Sequence, residues 1–375
     1  MDSAISSAYL SLVKLGIGHK AEVPEVEDWE AVKHLASRQG MAAIVLDGVK
    51  YLTDRASDSS SEDSRKAADS LKRMAPGLKL KWVGENLVVY EQRYEKYKKV
   101  ISKMAEFYGS RGYKMMILKG YGLSLNYPVP SHRPCGDIDI YQFGKYKEAD
   151  QALGKELGIK IDDSHHHHTT FRLGGFLVEN HYDFVNVHYG HGNRELEKVF
   201  KSLAEDDSNY TEAGGHKVYL PSAKLHALFQ IRHCMLHFAS SEINLRQVLD
   251  WGLFVEKHSS EIDWKYLAGV MEKFRMTDFF NYLNAVCIED LGFERGLFPS
   301  AENIDKELKQ RVLGDIISPE FAEEEPAKKG VFSRVAFKYR RWQANAWKQK
   351  LCYNDSRFLS FWKSVWAHVL KPDSI

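Results

Sequence analysis

The stretch MMILKGYGLSLNYPVPSHRPCGDIDIYQF, Met115 to Phe143, runs from an apolar segment through Lys119-Gly120 into an amphipathic one, then sets two aspartates inside a second apolar run. Residues i and i+2 of a strand share a face, so Asp137 and Asp139 point one way while Ile138 and Ile140 point the other, into a core. Two carboxylates held side by side are costly unless a cation offsets them. A divalent ion such as Mg2+, or Mn2+ in its place, prefers oxygen ligands and keeps positions open for phosphate. Taken alone, an Asp-x-Asp pair favours an exposed edge strand with two solvated carboxylates.

The residues upstream shift that balance. With MMIL as a strand and YGLSLNY as a helix, Lys119-Gly120 is the turn that delivers the chain to a helix N-terminus, whose unpaired N–H groups attract an anion. Gly120 lets the main chain come close, Lys119 adds a point charge, and Gly136 leaves room for a ligand ahead of the aspartates. Arg133 either neutralises phosphate or braces the acidic cluster. An anion pocket facing a divalent-metal pair suits a nucleoside triphosphate. The chain has no GxxxxGK[ST] or GxGxxG pattern, which sets P-loop and Rossmann readings aside.

Around this stretch the chain divides by texture. Residues 1–112 read as helical: DWEAVKHLASRQGMAAIVL has apolar residues every three or four positions with Asp28 as cap, and a second amphipathic run covers about Leu80 to Ser110, with Trp82, Leu87, Val88, Tyr94, Val100 and Met104 as core candidates. RASDSSSEDSRKAAD, from Arg55, reads as an exposed loop. Residues 113–219 read as a small α/β core, with YKMMIL and GDIDIY as strands, GLSLNY and KYKEADQALGKELG as helices, and two strands around Gly174-Gly175. Residues 220–375 return to helical period, from Pro221-Ser222 onward. The expected fold is therefore α+β, a small mixed sheet with helices flanked by N- and C-terminal helical regions.

A net charge of +1 over 375 residues excludes a whole-molecule field that would collect nucleic acid or lipid. Cys135, Cys234, Cys287 and Cys352 form no CxxC pair, which points to reduced thiols rather than a disulfide framework or zinc ribbon. The acidic N-terminus and the lack of an apolar run near ~20 residues lead us to expect a cytoplasmic protein with no membrane contact. In the tail, AEEEPAKKG reads as a charged connector. FKYRRWQANAWKQK could hold nucleic acid, with arginines on phosphates and Trp342 or Trp347 under bases; an amphipathic helix with tryptophans on the core and basic residues in water is favoured.

LKGYGLSLNYPVPSHRPCGDIDIY followed by FLVENHYDF resembles the uncharacterised nucleotidyltransferases, within the polymerase-β-like nucleotidyltransferase superfamily. The resemblance rests on Leu118-Lys119-Gly120, Tyr127-Pro128, Arg133, Gly136 to Ile140, and Glu179 with His181, and extends over about Met115 to Val255; LRQVLD adds Arg246 and Asp250. It implies transfer of a nucleotidyl group from an NTP to an acceptor, with Asp137 and Asp139 on two Mg2+ ions and a third carboxylate beside them. Strand alternation selects that carboxylate independently: in FLVENHYD, Leu177, Glu179, His181 and Asp183 share a face, with Glu179 mid-strand and Asp183 in reserve. His181 either orients substrate or a ligand, or is a strand histidine in a wet cleft. His226, His233 and His237 share a helix face, read as packed polar core or cleft lining rather than zinc; His165 to His168 read as a plain loop. The acceptor stays open among small molecule, protein, sugar and RNA. The alternative is a non-catalytic nucleotide-sensing or interaction module on the same fold.

Overall fold

The structure, a computed structural model, describes residues 3–57, 61–189, 191–299, 304–321 and 331–353. The chain opens with helices α1 (Ser3–Gly16), α2 (Trp29–Arg38), α3 (Ala42–Ala56) and α4 (Glu62–Lys72). Asp28 caps α2 as expected, its carboxylate accepting the Ala31 N–H at 2.9 Å. The single period expected across Asp28 to Leu46 breaks at Gly40, whose φ of 65° ends one helix and starts another. α1 and α3 cross closely because glycines meet backbone: a Cβ on Gly16 would lie 2.0 Å from the Ile44 carbonyl oxygen, and one on Gly48 2.2 Å from that of Leu12.

The expected loop from Arg55 is corrected over Glu62 to Asp69, which form most of α4; residues 58–60 lie outside the described residues. Ser61 accepts the Ser64 N–H as N-cap, and Ala67 turns into the core, so the polar composition there marks a helix start rather than a loop. A short helix, α5 (Leu78–Trp82), passes through a π turn into the long α6 (Val88–Gly109). Trp82, Tyr94, Val100 and Met104 are buried, whereas Val88 is 38% exposed because the π turn rotates the helical face ahead of it.

The sheet is mixed and six-stranded, in order β3-β4-β2-β1-β6-β5. It comprises β1 (Met116–Ile117), β2 (Ile138–Tyr141), β3 (His168–Leu173), β4 (Phe176–His181), β5 (Tyr210–Ala213) and β6 (His216–Tyr219). β2 runs parallel to β4 and β1 parallel to β6, the other pairs being antiparallel. α7 (Tyr121–Ser124) is a single turn, and α8 (Tyr146–Leu157) and α9 (His191–Leu203) complete the α+β unit. One face of the sheet, with Ile117, Ile138, Ile140 and Val178, packs on α6 and α8. The other, with Met116, Leu118 and Tyr141, joins a core shared with the N-terminal helices and with α10 (Ala223–Ser240) and α11 (Leu245–His258).

After α11 come α12 (Trp264–Lys273), α13 (Thr277–Ala285), α14 (Lys306–Ile317), α15 (Val331–Ala344) and α16 (Ala346–Tyr353). The charged connector AEEEPAKKG lies outside the described residues. Trp347 meets the core edge-on at Phe238 and lies under the Arg311 guanidinium at 4.2 Å, as a helix capping the core requires. Lys348 departs from that expectation: it is fully buried and paired with Asp315. No described helix is long and apolar enough to cross a membrane.

Candidate active site

Register builds the site. Parallel pairing of β2 with β4 sets Asp139 opposite Glu179 and Tyr141 opposite His181, and antiparallel β3 then places His168 opposite His181. Ile138 and Ile140 are fully buried on the face opposite Asp139, as expected, whereas Asp137 precedes β2 and is exposed. Asp139, Glu179 and His181 each offer a ligand atom within 4.8 Å of the others. Lys119 lies 2.8 Å from Asp139 Oδ1, and His181 Nε2 lies 3.2 Å from the same oxygen and 3.5 Å from Glu179 Oε2.

The electrostatics follow from this crowding. Burial opposes ionisation of Asp139, but the Lys119 and His181 charges outweigh it and hold the carboxyl well below its ordinary range. Glu179 is likewise held low, burial being overcome by the His181 hydrogen bond. His181 is held above its ordinary value despite burial, because both carboxylates accept from it. Asp137 goes the other way, pushed up by burial and by the Glu179 and Asp139 charges, and it has no ion-pair partner among the described residues. The set that converges here is Asp139, Glu179 and His181, and Asp137 is not part of it.

On the side of α10, His233 Nε2 lies 3.0 Å from Lys119 Nζ and 3.1 Å from His237 Nε2. Burial, then the Lys119 charge, pushes the His233 imidazole well down, so neutral His233 accepts from the ammonium. These groups line a cavity of about 930 Å3, together with Gly120, Gly136, Arg133, Arg246 and Asp250. Arg341 and Trp342 of α15 also face it. Arg246 is half-buried and has no ion-pair partner among the described residues.

Other expected site residues have different surroundings. Arg133 and Asp250, both buried, form a fork at 2.7 and 2.8 Å, and Tyr127 donates to the same carboxylate at 2.7 Å, so the guanidinium is engaged as a brace. The room left by Gly120 is filled by Tyr97, whose hydroxyl would lie 2.1 Å from a Cβ there and donates to the Asp137 carbonyl at 2.9 Å. Around Gly136 a Cβ would meet nothing within 4 Å. Asp183 lies past the end of β4, 3.5 Å from Lys201 and off the cavity wall. His165 to His168, read as a plain loop, line the cavity. The sequence predicts the hairpin about Gly174-Gly175 but not its register, which starts the strand at His168 and sets that residue opposite His181. Burial and the surrounding imidazoles push His167 down to about 2 and His168 to about 4.

The uncharacterised nucleotidyltransferase family matches over residues 25–291, from before α2 through the end of the segment after α13. That is more than half of the chain, and the chain belongs to this family. No curated protein matches. Among solved structures, the chain is similar to an antigenic nucleotidyltransferase-like protein from Paracoccidioides brasiliensis, at 16% identity and a TM-score of 0.33 over 51% of this chain and 93% of that one.

Proposed function

We propose that this chain, as a member of the nucleotidyltransferase family described above, moves an NMP group from an NTP to an acceptor with release of pyrophosphate, in a reaction dependent on Mg2+ or Mn2+. The observation that carries this reading is the register that sets Asp139 beside Glu179, with Lys119 and His181 converging on them at a cavity of nucleotide size. The acceptor's nucleophile forms a bond to the α-phosphorus, the bond from that phosphorus to the bridging oxygen breaks, and pyrophosphate carries away the electron pair. In this reading Glu179, whose carboxyl is held low and is half-buried, takes the proton released by the nucleophile. A divalent ion held by Asp137, Asp139 and Glu179 would neutralise charge on the phosphoryl oxygens of this in-line displacement.

Lys119, Arg246 and Arg341 are cations on the cavity wall that would meet the triphosphate in this reading, Arg133 being held by Asp250. The acceptor class stays open among small molecule, protein, sugar and RNA. The test is incubation with α-phosphate-labelled NTP, Mg2+ and extract, followed by Glu179→Gln on whichever acceptor is labelled. The variant keeps NTP binding and loses transfer by ~10²-fold or more; transfer at the wild-type rate refutes the assigned base.

A second reading, a nucleotide-sensing module without catalysis, is favoured by one contact. The Lys119 ammonium already supplies the counter-charge that Asp139 needs. Wild-type protein that binds NTP with metal yet labels nothing in any extract would select this reading.

A further inference from the structure

From the histidines beside the carboxylates we infer that the chain holds a transition-metal cation of the zinc class on His167, His168 and His181. This inference does not rest on nucleotidyl transfer. The three imidazoles each offer a nitrogen within 4.8 Å of the others. Their ring centroids lie 4.4 Å (His167–His168), 5.2 Å (His168–His181) and 5.7 Å (His167–His181) apart. A tetrahedral site with nitrogens ~2.0–2.1 Å from zinc holds them roughly 3.3 Å from one another, so closure asks for shifts on the order of an ångström.

The second observation is unmet bonding. The Nδ1 atoms of His167 and His168 are shielded from solvent and have no hydrogen-bond partner, and His168 and His181 are only 8% and 5% exposed. A buried ring nitrogen without a partner is costly, and a metal bond removes that cost. Imidazole selects Zn2+, Co2+ or Ni2+ over Mg2+, so this set differs in kind from the carboxylates next to it. Three protein ligands at a cavity wall leave the fourth position open toward the cavity. His181 belongs to both converging sets and ties the two together.

The test uses the full chain after chelation. Calorimetry with Zn2+ should give one ion per chain, and Co2+ should show the visible absorption of four-coordinate cobalt. His181→Ala and His167→Gln should each weaken Zn2+ by ~100-fold or more and abolish that absorption, with circular dichroism confirming that each variant is folded. His165→Ala with His166→Ala should leave both readouts unchanged. Loss of binding in the His165/His166 variant with retention in His181→Ala would mean loose chelation by a histidine tract, and would overturn the site. Absence of stoichiometric Zn2+ in the wild type would do the same.

Discussion

If Arg133 is a brace and not a phosphate contact, Asp250→Ala should be among the most destabilising substitutions in the chain. Arg133 and Asp250 are 4% and 5% exposed, and the guanidinium spends two of its donors on the Asp250 carboxylate. Removing the carboxylate leaves the guanidinium one weak acceptor, the Pro134 carbonyl at 3.3 Å. An uncompensated buried charge costs about 3–5 kcal/mol. Tyr127, also buried, loses its acceptor as well, adding roughly 1 kcal/mol or more. Arg133→Met should cost somewhat less, since Asp250 retains the Tyr127 bond. The pair Arg133→Met with Asp250→Asn removes both charges but keeps an oxygen for Tyr127, and its cost should fall below the sum of the single changes by ~2–3 kcal/mol. Urea denaturation of wild type, Arg133→Met, Asp250→Asn and the pair supplies the cycle, the summed single changes being those two. The charge-free pair should bind NTP with Mg2+ within a factor of ~3 of wild type, because a brace keeps its shape when both charges leave together. Single changes costing under ~1 kcal/mol, or a stable pair that has lost NTP affinity, would refute the reasoning and return Arg133 to the phosphate.

Three further outcomes follow from local geometry. Gly120→Ala should lower stability by ~2 kcal/mol or more in a thermal melt, because φ is +57° and the new Cβ meets the Tyr97 hydroxyl; Tyr97→Phe in the same chain should restore only the part due to that contact. Gly48→Ala should cost ~1–3 kcal/mol by forcing α1 off the Leu12 carbonyl. Glu197, buried beneath the Phe184 and Val185 N–H groups, is pushed up from 4.5 to about 7, first by burial, against the pull of Lys201 and those donors. A raised folded value means that its stabilisation is complete below 4.5 and is lost as pH rises through 7, by at most roughly 3 kcal/mol. Melting temperature should therefore fall from pH 5 to pH 8, and Glu197→Gln should flatten that slope.

Period-2 alternation carried the sequence reading furthest, because it depends only on neighbours. In DIDIY and FLVENH it separated Ile138, Ile140 and Val178, which pack in one core, from Asp139, Glu179 and His181, which converge on the other face; Asp137 lies ahead of the strand. Helical period worked where caps and glycines did not interfere, as at Asp28, and failed at Gly40, where a left-handed residue resets the helical face. The serine tract was misread because Ser and Asp serve both loops and caps; what separates the two is Ala67 turning inward, a tertiary fact. β5, β6 and α9 were left unassigned, since β6 is ordered by its parallel pairing with β1, more than ninety residues upstream.

Partner choice is where local pattern stops being informative, and Lys119 illustrates why. Its position after an apolar strand predicted a cation at an anion site, and the residue does lie on the cavity wall. In the fold the same ammonium bonds Asp139 across the β1–β2 ladder and His233 from α10, two partners separated from it by 20 and 114 residues. Nothing in LKGYG encodes either distance. Arg133 is the mirror case: four residues from Asp137 in sequence, it is claimed by Asp250, 117 residues away. A charge near a motif therefore predicts that the site needs a charge of that sign. Which residue is left to meet the ligand depends on which cations the core has already engaged. By that criterion Arg246 and Arg341, both on the cavity wall with no carboxylate among the described residues, have the most to gain from a triphosphate.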